Sequence, residues 1–149
     1  MMLKLDNALI PRNLNFLIIE DLEMIRELII DELDLLGFEG PFAQAESLKS
    51  SRIEFKKKKP DIILLDWTLD DGTGDIFLEA LRKNKSFDNI PVMMITSNDN
   101  VEDLIHALNI GASEYLIKPW TTEEFTEKLS SAWLKHFPEK LVIEGLELA

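Results

Sequence analysis

The sequence predicts an α/β fold, a three-layer α/β/α sandwich around a five-stranded parallel sheet, on three observations. Short apolar runs alternate with helical periodicity along the chain, the pattern of repeated βα units. Two of the runs, Ile62–Leu65 and Pro91–Ile95, are apolar throughout, as strands covered on both faces are. Four runs end in polar residues: Asn15–Ile19 in Glu20 and Asp21, Ile62–Leu65 in Asp66, Pro91–Ile95 in Thr96, and Glu114–Ile117 in Lys118.

After the first strand, Leu22, Ile25, Ile29, Leu33 and Leu36 recur at helical spacing and stop at Gly37, a helix-ending glycine. A short edge strand is expected within Phe38–Ala45, which Gly40 and Pro41 interrupt. Glu46–Lys59 reads as the second helix. Its closing lysines, Lys56 to Lys59, suit the negative end of the helix dipole before Pro60 stops it, and are read as a solvated helix end. The third strand, Ile62–Leu65, leads into a turn-rich loop, Trp67–Gly74, and a helix over Asp75–Lys83. Pro91–Ile95 is the fourth strand, and Asn100–Asn109 a helix ending before Gly111. Past the fifth strand and Pro119, Thr121 and Glu124 stand at capping-box spacing, and Phe125, Leu129, Ala132, Trp133 and Phe137 line one helical face. Five such units with right-handed crossovers give the three-layer sandwich, and the strand order expected for it is 2-1-3-4-5, a flavodoxin-like doubly wound arrangement.

The expected division is a core domain over 15–137, an N-terminal extension over 1–14 and a C-terminal tail over 138–149. Met1–Leu14 reads as an unstructured lead-in, with a docking arm as the alternative. The tail carries Leu141, Val142, Ile143, Leu146 and Leu148, too apolar for a purely solvated segment, and either packs back or meets a second copy.

At 149 residues and 46% hydrophobic content, one domain with one sizeable core is expected. A net charge of −12 argues against nucleic-acid binding through phosphate neutralisation. The absence of cysteine removes disulfides, thiolate nucleophiles and thiolate-bound metals. No stretch resembles a signal peptide or a membrane span, so the expectation is a cytoplasmic protein with no membrane partner.

In order 2-1-3-4-5 the first and third strands are neighbours, about 4.8 Å apart, so Glu20, Asp21 and Asp66 converge at the strand tips. Two carboxylates about 4 Å apart repel by on the order of 4 kcal/mol at an effective dielectric of 20. An all-oxygen, partly open site resolves this with Mg²⁺. Thr96 comes up on the adjoining strand as a hydroxyl donor, and Lys118, one strand further, is long enough to reach back.

These residues resemble the receiver domain of bacterial two-component response regulators, the single-domain chemotaxis type, over roughly Asn15–Phe137. The likeness rests on FLIIEDLEMIRELI, DIILLDWTLDDGTG, IPVMMITSN and GASEYLIKPW. It implies that Asp66 is the phosphoacceptor, charged by a phosphohistidine donor on a sensor histidine kinase or a histidine phosphotransfer protein. It further implies that Glu20, Asp21, Asp66 and the Thr68 backbone carbonyl bind Mg²⁺, for which Mn²⁺ can substitute. Thr96 and Lys118 would hold the phosphoryl oxygens, and Thr96 with Tyr115 would form a switch. The Lys118–Pro119 bond in this family is commonly cis. The domain would catalyse only its own phosphorylation and dephosphorylation, signalling to a downstream protein or a second copy through the face of the fourth helix, fifth strand and fifth helix. Leu104, Leu108, Trp120 and Glu124 are candidate positions near that face. Twelve residues follow Phe137, too few for an output domain within this sequence.

Two departures stand out. Asp70 takes the place where the family usually has proline, with Asp71 after it, and both read as solvated. Trp120 replaces a common phenylalanine. Plainer readings exist for each residue: Glu20 and Asp21 as helix caps, Asp66 as a turn cap, Thr96 as an ordinary strand-end threonine, Tyr115 as a half-buried strand aromatic. His106 and His136 are assigned to helix surfaces. An aspartate-dependent phosphohydrolase of the haloacid-dehalogenase type wants a second aspartate two residues after the nucleophile, where Thr68 stands. A receiver-like interaction module that works without phosphorylation is the remaining alternative. A flavodoxin-type cofactor carrier lacks its phosphate loop here.

Overall fold

Every strand of the central sheet is parallel, and its order follows from where each apolar run finds a neighbour. The structure, a computed structural model, describes residues 1–143 and 146–147. Ahead of the sheet lie β1 (Met2–Leu5) and β2 (Ala8–Pro11). The βα units then run β3 (Phe16–Ile19), α1 (Glu23–Leu36), β4 (Ala43–Ala45), α2 (Leu48–Lys57) and β5 (Ile62–Leu65). A two-residue ribbon, β6 (Thr68–Leu69) with β7 (Gly72–Thr73), interrupts the loop before α3 (Gly74–Lys83). β8 (Val92–Thr96), α4 (Val101–Asn109), β9 (Glu114–Ile117) and α5 (Thr122–His136) complete the units. The sheet order β4-β3-β5-β8-β9 is the predicted 2-1-3-4-5.

Period-two alternation splits each apolar run between two cores. Phe16, Ile18, Ile62, Leu64, Met93, Ile95 and Leu116 face α1 and α5, meeting Ile29, Leu33, Phe125, Leu129 and Trp133. Leu17, Ile19, Ile63, Leu65, Val92 and Met94 face the other layer, with Leu48, Phe77, Leu78, Leu81 and Ala107. This double burial is why β3, β5 and β8 carry no polar residue before their ends. Helix termini obey local chemistry: Gly37 ends α1 at φ 102°, and Ser47, Asn100 and Thr121 cap the helices that follow them. Thr121 and Glu124 form the expected capping box.

The first fourteen residues depart from the expectation of an unstructured lead-in. Leu3, Leu5, Ala8, Ile10 and Leu14 are all buried, because β1 and β2 pair antiparallel across an Asp6–Asn7 turn and lay their apolar face on the α1–α5 core. Asp6 sits at φ 51°, a left-handed conformation that aspartate tolerates. Strands of four residues with only two buried positions each carry a weak alternation signal, which hid the hairpin.

The tail returns to that hairpin. After a 3₁₀ turn at Pro138–Lys140, Leu141 bridges Ala8 and the Val142 N–H donates to the Asn7 carbonyl at 2.6 Å. β10 (Val142–Ile143) then pairs with β11 (Leu146–Glu147). Leu148 lies outside the described residues.

A second correction concerns His136. Instead of standing on an open helix surface, it closes the last turn of α5 against the start of β9, where Nε2 lies 2.7 Å from Ser113 Oγ. The Ser113 oxygen also accepts the Val92 N–H at 3.0 Å, and because burial favours the neutral His136 ring we assign the Ser113 proton to the bond between them.

Candidate functional site

Parallel pairing of β3 and β5 puts Ile19 beside Leu65, so the next residue of each strand emerges at the same tip. The Asp66 N–H donates to the Ile19 carbonyl at 2.9 Å, and the Glu20 N–H to the Ala45 carbonyl at 2.9 Å, which anchors both backbones. Glu20, Asp21 and Asp66 each offer a carboxylate oxygen, and these lie within 4.8 Å of one another. Glu20 and Asp66 are buried. Arg26 donates to the Glu20 carbonyl at 2.7 Å and to the Gln44 side chain, holding the start of α1 over the tip.

Lys118 supplies the counter-charge. Its N–H bonds the Thr96 carbonyl at 2.9 Å, and across the sheet its Nζ donates to Asp66 Oδ2 at 2.9 Å and to Glu20 Oε1. Burial opposes the Lys118 charge, but the hydrogen bonds it donates to Glu20 and Asp66, together with their negative charge, outweigh it and raise its pKa. Burial pushes the Glu20 carboxyl up to about 7; Asp21 and Asp66 add to the rise, while Lys118 and the Leu22 N–H pull the other way. One ammonium among three carboxylates leaves excess negative charge, and the donors are all hard oxygens. The set therefore fits a divalent cation of the Mg²⁺ kind.

Thr96 is fully buried at the end of β8, and its Oγ1 accepts the Asn98 N–H at 3.2 Å. Tyr115 is buried as well. Its hydroxyl donates to the Asn98 carbonyl at 2.7 Å, and burial, then the charges of Asp103, Asp66 and Asp99, push its pKa up to about 12. Thr68 donates its N–H to Asp66 Oδ1 at 3.3 Å. The Lys118–Pro119 bond is cis.

Asp71 does not join the acidic cluster. Its carboxylate accepts the Leu48 and Lys49 N–H groups at 2.8 and 3.0 Å, which lowers its pKa and ties the β6–β7 ribbon to the start of α2. Trp120 belongs to the α1 side, since its indole donates to Glu32 at 3.2 Å. His106 lies on α4 as expected, 3.4 Å from Asp75 and edge-on to Trp67.

Sequence reasoning missed Gly74. A Cβ there would stand 2.3 Å from the Asp66 backbone oxygen, so only glycine admits this approach of α3 to the strand tip. The signal was its place in the Gly-Thr-Gly that follows Asp66 by a few residues. Asn98 was missed too, because its contribution to Tyr115 is a backbone carbonyl that any residue would offer.

Residues 16–130 match the response regulator receiver domain. The chain belongs to that family. The receiver is 32% identical over 136 residues to the phosphate regulon transcriptional regulatory protein PhoB of Escherichia coli, covering 89% of this chain and 58% of PhoB. It thus spans little more than half the length of that relative. To the chemotaxis protein CheY-3 of Vibrio cholerae it is 29% identical over 122 residues, covering 82% of this chain and 93% of CheY-3. In fold, the receiver resembles the crystal structure of a CheY-like receiver domain protein from Methanospirillum hungatei, with a TM-score of 0.73 at 23% identity over 85% of this chain and 98% of that one. No helix among the described residues is long and apolar enough to cross a membrane.

Proposed function

We propose that this receiver accepts a phosphoryl group onto Asp66 from a phosphohistidine of a sensor kinase or a histidine phosphotransfer protein, and so switches protein–protein contacts in the cytoplasm. The observation that carries the reading is Asp66 held at a sheet tip with Lys118 Nζ at 2.9 Å and two further carboxylates alongside. An Asp66 carboxylate oxygen attacks phosphorus in line, the P–N bond to the donor imidazole breaks, and its electron pair stays on the ring nitrogen. The chain's task is positioning and charge stabilisation. Lys118 meets the charge on the transferred oxygens, and Thr96 bonds one of them once its hydroxyl turns toward Asp66. Glu20, Asp21, Asp66 and the Thr68 carbonyl would hold Mg²⁺, which supplies positive charge to the same oxygens when bound.

Beside Lys118 a groove of about 560 Å³ opens between α1 and the Lys118–Trp120 segment, with Ile25, Leu28 and Leu35 on its wall. It suits a helical donor domain that must bring its histidine to the sheet tip. Output is assigned to the α4–β9–α5 face, where Val101, Ile105 and Leu108 are exposed on α4. The Tyr115–Asn98 hydrogen bond ties the β8–α4 loop to β9 and gives the switch its moving part. In this reading 15–137 is the receiver unit, with 1–14 and 138–149 as additions to it, and its chemistry is confined to phosphorylating and dephosphorylating itself. A downstream protein or a second copy receives the signal.

Mass spectrometry after incubation with acetyl phosphate and Mg²⁺ tests the reading. One phosphoryl group on Asp66 is expected. Phosphorylation elsewhere, or none under conditions that label a known receiver, would remove the assignment.

A further inference from the structure

We propose that the groove between α2 and α3 is a docking site for an acidic peptide segment carrying one apolar anchor. This surface is at the amino ends of the strands, opposite the acidic cluster, and the inference is independent of the role given to Asp66. Phe55, Phe77, Ala80 and Phe87 line a groove of about 290 Å³, with Arg52 and Lys56 on its rim. The Phe55 ring stands edge-on to Phe77 and Phe87, with centroids 6.4 and 5.0 Å away, so the floor is a preformed aromatic surface. Lys59 Nζ lies 5.9 Å from the Phe87 ring centre.

Charge identifies the occupant. Residues 49–59 carry six of the chain's 16 basic residues against the single acid Glu54, a local net of +5 in a chain of net −12. All six basic side chains are exposed, and of them Lys57 pairs with Glu54 at 3.4 Å. A lysine run at a helix end has a dipole role and no need of an aromatic floor beside it. Here the two features adjoin, and together they are complementary to a segment with carboxylates around a large apolar side chain. The volume falls at the low end of the range for small-molecule pockets, about 300–1,000 Å³, which suits one or two anchor side chains. Nucleic acid and anionic bilayers fit less well, because their extended arrays of phosphate reach past the basic patch to the acidic remainder of the chain, whereas a short peptide stays within it.

The probe is a fluorescein-labelled synthetic peptide in which Asp and Glu flank a Trp-Leu pair, titrated into the full chain by anisotropy and into ¹⁵N-labelled chain by NMR. Expected are shifts confined to Arg52, Phe55, Lys56, Ala80 and Phe87. Affinity should be at least about tenfold weaker for the same peptide with Gln and Asn replacing the acids, and for the Lys56→Glu/Lys59→Glu chain. Ala80→Arg, which keeps the positive rim but fills the groove, should weaken binding as much; Ala80 is exposed, and an unchanged thermal melt shows that the variant folds. Shifts elsewhere, equal binding of the neutral peptide, or binding unaffected by both variants would overturn the proposal. So would binding of phosphatidylserine vesicles where the peptide fails, which would assign the patch to a membrane surface.

Discussion

Lys118 Nζ donates to Asp66 Oδ2 at 2.9 Å across 52 residues of sequence, joining the tips of β9 and β5 over the intervening β8. The ammonium is thereby already placed where a phosphoryl group on Asp66 would need a counter-charge. The same contact makes the free site a compact, partly neutralised cluster.

Asp66→Asn keeps side-chain volume and removes the nucleophile. Labelling by acetyl phosphate should fall to background while the circular dichroism spectrum and cooperative melt are retained. Full labelling of this variant would show that another residue is the acceptor.

Removing divalent metal should stop labelling of the natural chain. Glu20, Asp21 and Asp66 would then face the incoming phosphoryl charge with Lys118 alone, and repulsion among groups at such distances amounts to several kcal/mol. Rates compared in excess chelator, in Mg²⁺ and in Mn²⁺ check this, and an unchanged rate in chelator would show the cation to be misplaced.

Ile10→Ala should destabilise the chain by about 2–5 kcal/mol, because Ile10 is 1% exposed within the α1–α5 core. Urea titration is the measurement. A loss below about 0.5 kcal/mol, the size of an ordinary surface substitution, would mean that the hairpin adds nothing to the core.

His136 predicts a pH dependence. Burial lowers its pKa from 6.5, Arg82 and Lys135 lower it further, and Asp88 opposes them. Below pH 6.5 the unfolded chain takes up this proton before the folded one. The His136 contribution to stability is therefore full above that pH, and it fades as pH falls toward the depressed folded value. Thermal melts across this window should show a steeper loss for the natural chain than for His136→Gln; parallel curves would contradict the assignment of a neutral ring against Ser113.

The fold and the meeting of Glu20, Asp21, Asp66 and Lys118 at the strand tips were legible in the sequence because both are written in local patterns. Ile62–Leu65 is apolar throughout because it is buried on both faces, and the polar residue ending each run is the one that leaves the sheet at its carboxyl edge. Gly37, Thr121 and Glu124 ended or capped helices by chemistry confined to a single turn. Tertiary structure alone decided what depends on distant partners. The Met1–Leu14 segment joined the core through its buried face because α5 offered Leu3, Leu5 and Ile10 a surface, and four-residue strands cannot announce such a partner. His136 became a half-buried ring because Ser113 waits at the start of β9. Asp71 turned to the free N–H groups of α2 rather than to the cluster, and Gly74 proved indispensable only once the Asp66 carbonyl stood where its side chain would be. A sequence records which groups need burial, charge or a partner, and the packed chain settles which partner each one meets.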